Sequence, residues 1–299
     1  MAKRVWLIIA VVFVLCGGLT FAVAMQKLDW NFYELSTSKY ETNTYKITEN
    51  FENISLSTDT VDIAFFRSDN GECRVECIEL ANAKNNVFVE DNTLTIKEGN
   101  GKWYNNIGFN LGSPNISVFL PNDQYNSLTV TETTGDIKIS DNLTLNRLSI
   151  SVSTGDIHLE KCSIGSAEIS TSTGDIKAKN VNCDNDLSIN VTTGDVKLEN
   201  IKCQNLTSKG NTGDVSLKQV IAVNKLSLKR TTGDIKLKSA DGGEIFIETD
   251  TGDVYGTILS DKIFITESSI GDIKVPKTTS GGKCEIKTDT GDIKIVIEK

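Results

Sequence analysis

The chain has 299 residues, with 38% hydrophobic, 7% aromatic and only 3 Pro, a composition that suits a thin, regular core better than a large globular one. A single histidine, His158, leaves almost no material for histidine-based acid–base chemistry or for His-rich metal sites. The formal net charge is −9, and without Lys3 and Arg4 it becomes −11, an acidic surface that disfavours nucleic acid and anionic headgroups as partners.

From Val5 to Met25 no charged side chain interrupts the chain. As a helix this stretch spans about 31 Å, the thickness of a bilayer hydrocarbon core. Residues 1–25 are therefore expected to form a transmembrane signal anchor. Lys3 and Arg4 ahead of it place the N-terminus in the cytoplasm and residues 26–299 outside, making a single-pass protein of the cell membrane. The competing expectation is a cleaved signal peptide, because Ala22-Val23-Ala24 fits a small-x-small cleavage pattern. Lipidation at Cys16 fits less well, since Leu15 is bulky where a small residue is needed.

Residues 26–50, with Trp30, Phe32, Tyr33, Tyr40 and Tyr45 among Ser and Thr, read as a linker. Residues 51–130 read as wider, irregular N-terminal β coils. They carry alternating runs at Ile54-Ser55-Leu56-Ser57, Thr60 to Ile63, Val87 to Val89, Leu94 to Ile96 and Ile116 to Leu120. Trp103 and Tyr104 are expected to cap the N-terminal end of the core.

Residues 131–299 are organised by a repeat. Thr-Gly-Asp followed by Ile or Val recurs with glycines at Gly135, Gly155, Gly174, Gly194, Gly213, Gly233, Gly252, Gly271 and Gly291, at spacings of 20, 19, 20, 19, 20, 19, 19 and 20. Asp136, Asp156, Asp175, Asp195, Asp214, Asp234, Asp253, Asp272 and Asp292 follow them. Two places after each glycine stands Ile or Val, and two further on come Ile139, Leu159, Ala178, Leu198, Leu217, Leu237, Gly256, Val275 and Ile295. This period-2 pattern marks the inward face of a strand. A shorter pair follows at constant offset, such as Cys162 and Ile164, and a longer run completes the coil, such as Leu187, Ile189 and Val191.

Three short strands per period of about 19.5 residues, with no helical pattern between them, predict an all-β fold: a β-solenoid of stacked coils behind one N-terminal transmembrane helix. A barrel or sandwich is the alternative. In one coil Ile263 and Ile265 sit one residue out of step and Ile270 replaces Thr, which predicts a bulge between Glu267 and Ile270.

In a solenoid the repeated aspartates form a column. Like charges about 5 Å apart repel by on the order of 0.8 kcal/mol even in water, so a neutralising device is needed. Lys138, Lys177, Lys197, Lys236, Lys274 and Lys294, with His158 in the same series, stand two residues on. The eighteen Gly and Asp positions therefore read as structural repeat turns, in which Gly supplies positive φ and Asp accepts backbone N–H groups. A calcium row and a catalytic carboxylate pair are the competing readings. The spacing matches no calcium β-roll, and uniform carboxylates lack the two distinct environments that acid–base work needs. No catalytic, cofactor or metal residues are assigned. Cys73, Cys77, Cys162, Cys183, Cys203 and Cys284 fall on inward positions as small core residues, with Cys183 and Cys203 one coil apart and able to bridge.

The Thr-Gly-Asp-Ile/Val ladder, the N-terminal membrane segment and the closing stretch from Gly281 to Ile293 resemble a bacterial family of adhesin-like proteins carrying a β-strand repeat domain of unknown function. The resemblance covers about residues 50–299. It implies a non-enzymatic, membrane-attached surface protein that meets a cell-surface or envelope ligand. The alternatives are self-association through the end of the solenoid, where Ile293, Ile295 and Ile297 form the last strand, and a polysaccharide-active enzyme.

Overall fold

The computed structural model describes residues 2–31, 39–99 and 113–298. Trp103 and Tyr104, expected to cap the core, lie outside the described residues. One helix, α1 (Ala2–Lys27), precedes the strands, and its stretch Arg4–Lys27 is long and apolar enough to cross a membrane.

The N-terminal strands are β1 (Tyr40–Ile47), β2 (Asn53–Thr60), β3 (Asp62–Arg67), β4 (Cys73–Leu80), β5 (Asn86–Glu90), β6 (Thr93–Lys97) and β7 (Asn115–Leu120). The regular coils follow as β8 (Gln124–Thr134), β9 (Ile137–Ile139), β10 (Thr144–Thr154), β11 (Ile157–Thr173), β12 (Ile176–Cys183), β13 (Asp186–Thr193), β14 (Val196–Thr212), β15 (Val215–Thr232) and β16 (Ile235–Thr251). The chain closes with β17 (Val254–Ile258), β18 (Lys262–Ile270), β19 (Ile273–Lys274), β20 (Gly282–Thr290) and β21 (Ile293–Ile297). The fold is a parallel β-solenoid.

Each coil has three sides. The Thr-Gly-Asp turn makes one corner. A second corner sits six residues after the glycine, where Asp141, Lys161, Asn180, Asn200, Gln219 and Ser239 all adopt left-handed φ of 52–73°. A third falls four or five residues later, where Asn146 donates to Asn126, and Asn185 to the Gly165 carbonyl, one coil away. The spacing of 19 or 20 comes from these corners. Cys203 pairs with Ala222 but Asn205 with Lys225, so the longer coil holds its extra residue at the corner, where Val223 is exposed. The strands themselves keep register, as period-2 faces with a buried side require.

The core is one continuous stack. Ile137, Ile157, Ile176, Val196, Val215, Ile235, Val254 and Ile293 form a fully buried column, with the second column from Ile139 to Ile295 beside it. A coil cannot bury these faces alone, so its stability is lent by its neighbours.

Both ends depart from chain order. At the start, β2 and β3 lie between β8 and β9 on one side and β6 and β7 on the other. At the finish, β20 and β21 pair with β16 and β17 on one side and with β18 and β19 on the other. The last strand is thus interior, and the outermost coil is β18–β19. This corrects the expectation that Ile293 to Ile297 forms the open end. The predicted bulge is also absent: β18 pairs with β20 without a register shift, and its one-residue offset turns Ile263 and Ile265 outward. The linker assigned to residues 26–50 is corrected as well, because Tyr40–Ile47 is a strand paired antiparallel with β4.

Candidate functional surface

The Thr-Gly-Asp turns superpose into one ladder. Asp136 N–H donates to Asp62 Oδ1, and the same bond repeats through Asp156, Asp175, Asp195, Asp214, Asp234 and Asp253. It then passes to Asp292 and ends on Asp272, following the swapped coil order. The nine bonds measure 2.8–3.0 Å among the described residues. Each carboxylate but that of Asp272 thereby accepts a donor from the next coil, which offsets the repulsion along the column.

The glycines are fixed by the same stacking. Gly194 has φ of 142°, and a Cβ there would lie 2.0 Å from the Gly174 carbonyl oxygen. Any side chain would force the coils apart. Thr171, Thr249 and Thr288 donate their hydroxyls to the glycine carbonyls of the neighbouring coil, locking the turn from inside.

Outside the ladder, Lys138, His158, Lys177 and Lys197 align in register on the first strand face. Lys177 reaches Asp156 at 3.6 Å and Asp175 at 3.4 Å, Lys197 reaches Asp195 at 2.9 Å, and His158 lies 3.9 Å from Asp156. The Asp214 N–H and then Lys197 hold the Asp195 carboxyl below the usual carboxylate range, while Asp195 raises Lys197. One column over, Glu199 accepts from Lys218 at 2.9 Å and faces Lys179 at 3.8 Å, and Lys218 pushes its pKa down.

These two columns wall a shallow groove of about 640 Å³, floored by Leu159, Ala178 and Leu198. Lys138, His158, Lys177 and Lys197 line one side, and Glu160, Lys179, Glu199 and Lys218 line the other. Lys138 has no ion pair among the described residues. The arrangement is a cationic strip on an acidic protein, suited to anionic groups presented at coil spacing. Among the described residues no three His, Cys, Asp or Glu side chains are placed to hold a metal.

All the sequence-assigned turn residues share this one edge of the rod. Gly271 and Asp272 belong to the outermost coil and Gly291 and Asp292 to the one inside it. The cysteines are buried apart from Cys16, and all are free, Cys183 and Cys203 included. Burial pushes the Cys73 thiol up to about 11 and the Cys162, Cys203 and Cys284 thiols up to about 12, the behaviour of inert core residues.

Sequence reasoning missed the charges inside the core. Glu132 is buried, accepts from Thr58 and from the Val61 N–H, and is pushed up to about 7 by burial. Arg230 is 1% exposed and lies over Gly210, with its guanidinium bonded to the Lys229 carbonyl and Ser208. Lys262 pairs with Asp241 at 2.8 Å in a buried site. For Glu132 and Arg230 the readable signal was a charged residue three places before a repeat glycine, where the other coils carry Val, Thr, Gly or Ser; Lys262 has no such signal.

Fold and ladder define a parallel β-solenoid with one cationic side groove. The chain belongs to the Toastrack DUF4097 family, whose model matches residues 51–237 and 182–299. Among solved structures it is similar to a Bacteroides fragilis protein described as a "putative adhesin" (18% identity, TM-score 0.53). It is also similar to a "putative lipid binding protein" of Parabacteroides distasonis (18%, TM-score 0.57), each likeness covering 86% of this chain and 97% of the other. A "putative adhesin" of Parabacteroides merdae (14%, TM-score 0.54) covers 86% and 96%. At such identities the likeness speaks to the fold. No curated protein matches the chain.

Proposed function

We propose that the protein is a membrane-anchored, extracytoplasmic and non-enzymatic solenoid that binds an anionic envelope or cell-surface ligand along its lysine groove. The observation that carries this reading is the division of labour at the Thr-Gly-Asp edge. The aspartates are engaged by backbone donors and lysines, as a scaffold requires, and the lysine column beside them, with the alternating Glu and Lys column next to it, forms the concave face. A uniform row of hydrogen-bonded carboxylates offers no acid–base pair.

The apolar span of α1 supports anchoring, and Lys3 and Arg4 ahead of it support an external rod. The naming of structural neighbours as adhesins agrees with a binding role. The test is sedimentation of the detergent-solubilised full chain with purified bacterial cell-wall fragments. The wild type is expected to co-sediment, with affinity falling on the order of tenfold when Lys138, Lys179 and Lys218 are all changed to Glu. Equal co-sedimentation of both proteins would remove the groove from the function, and turnover of a glycan panel would contradict the non-enzymatic reading.

A further inference from the structure

The two edges of the stack are finished differently, and the difference points to a partner. No described strand pairs with the outer edge of β18, so a row of backbone donors and acceptors faces away from the rod. Such an edge is a template for another strand. Proteins commonly guard exposed edges with charge, yet the positions aligned with Ile263 and Ile265 are charged only in the paired coils: Lys283 and Glu285 in the next coil, with Phe246 one coil further in beside Glu285. On the edge coil itself Ile263 is 46% exposed, Ile265 48% and Ile270 69%. Apolar residues thus stand at the edge where the adjacent coil carries Lys283 and Glu285. The aspartate ladder also stops there, with no backbone donor on the Asp272 carboxylate among the described residues.

From this we infer that the β18 edge is an interface with a second copy of this chain, formed end to end about a two-fold axis. Three observations select a second copy. The edge coil carries Lys262 and Lys274 against Glu267 and Asp272, so it is neutral in a chain of net −9 and does not repel itself. Its outward isoleucines match each other: antiparallel pairing centred on Phe264 sets Ile263 opposite the partner's Ile265 and leaves only Glu267 facing the partner's Asp261, beyond the strand end. Head-to-tail pairing is less well matched, because the other end finishes on antiparallel β1, whose exposed positions Thr42, Thr44 and Lys46 are polar and offer the isoleucines no apolar counterpart. A two-fold contact closes after two copies. This interface is separate from the groove and stands or falls independently of it.

The test uses the full chain in detergent with Cys16→Ala, which removes the exposed thiol of α1. In this background Ile263→Cys with Ile265→Cys is expected to oxidise to a covalent dimer, while Ser151→Cys, exposed on a middle coil, does not. Light scattering is expected to give two copies for the native chain. Ile265→Lys, at an exposed site that leaves the melting temperature unchanged, shifts it to one copy by raising the dissociation constant on the order of tenfold. A native chain that stays single at high concentration, or Ser151→Cys cross-linking as fast as the edge pair, overturns the proposal. Either result leaves the edge to a foreign strand.

Discussion

The two ends of the rod meet the same problem with opposite solutions. Each tucks the chain terminus of the solenoid one coil inward, so β2 with β3 and β20 with β21 are paired on both sides. Beyond that coil they diverge. The N-terminal end turns its strands back antiparallel, stacks Phe66 on Phe119 at 5.4 Å under Arg74, and finishes on β1, which carries Glu41, Asn43, Thr44 and Lys46. The C-terminal end stops on a parallel strand with three exposed isoleucines. The N-terminal end presents polar side chains along its last strand, and the C-terminal end presents apolar ones. A repeat fold therefore encodes its boundaries in the few residues that depart from the repeat.

The largest test of this contrast uses two glycines in nearly identical settings. Gly135 beside the N-terminal cap and Gly271 in the edge coil have φ of 152° and 153°, and their added Cβ atoms would lie 2.0 and 2.1 Å from a carbonyl oxygen. Denaturant titration of Gly135→Ala is expected to show a loss of about 3 kcal/mol or more, because the clash sits in a cooperative stack. Gly271→Ala is expected to lose about 1 kcal/mol, since the edge coil can open alone. Equal losses would mean that the two ends are equally bound to the rod.

A pH series addresses the N-terminal end through Glu132. Its folded pKa of about 7 lies above the ordinary 4.5, so the native state holds its proton more tightly than the unfolded chain does. The stability this contributes is fully present below about 4.5 and is lost as pH rises to about 7, by on the order of 3 kcal/mol. Melting temperatures of Glu132→Gln should not show that decline, so the gap between variant and wild type should widen from pH 4.5 to 7. A constant gap would place Glu132 in contact with water. Asp195 and Glu199 act in the opposite sense: their lowered pKa values supply stability above the unfolded carboxylate range that is lost on acidification, and subtracting the two curves cancels them.

The smallest effect compares the ends of the ladder. Asp62 accepts the Asp136 N–H, whereas Asp272 accepts no backbone donor among the described residues. Asp62→Ala is expected to cost about 1 kcal/mol and Asp272→Ala no more than a few tenths by the same titration. A larger loss at Asp272 would reveal a partner on that carboxylate.

Much of this architecture was legible in the sequence because a solenoid coil is locally complete. Alternation from Ile157 to Leu159 and a glycine every 19 or 20 residues are enough to set faces and stacking. The order of the last two coils was not legible, since Ile245 packs equally well beneath Cys284 or Phe264 and hydrophobicity carries no information about which. The offset of Ile263 and Ile265 was the available signal. It reads as a bulge when a further coil is assumed above it, and as an outward turn once that coil is known to be last. The left-handed corner escaped notice because Lys161, Gln219 and Ser239 are not residues that favour such φ, and stacking imposes it on them. The groove, too, follows from the lysine spacing, because residues two apart on a strand share its outer face and the inward column between them leaves only backbone at the floor.

Hydrogen exchange resolved by peptide tests the central claim, the interior placement of the final strands, most directly. In the single-copy Ile265→Lys variant, amides of residues 282–297 are expected to exchange more slowly than those of 262–274, because they are paired on both sides. Faster exchange at 282–297 would put those strands on the outside and contradict the account.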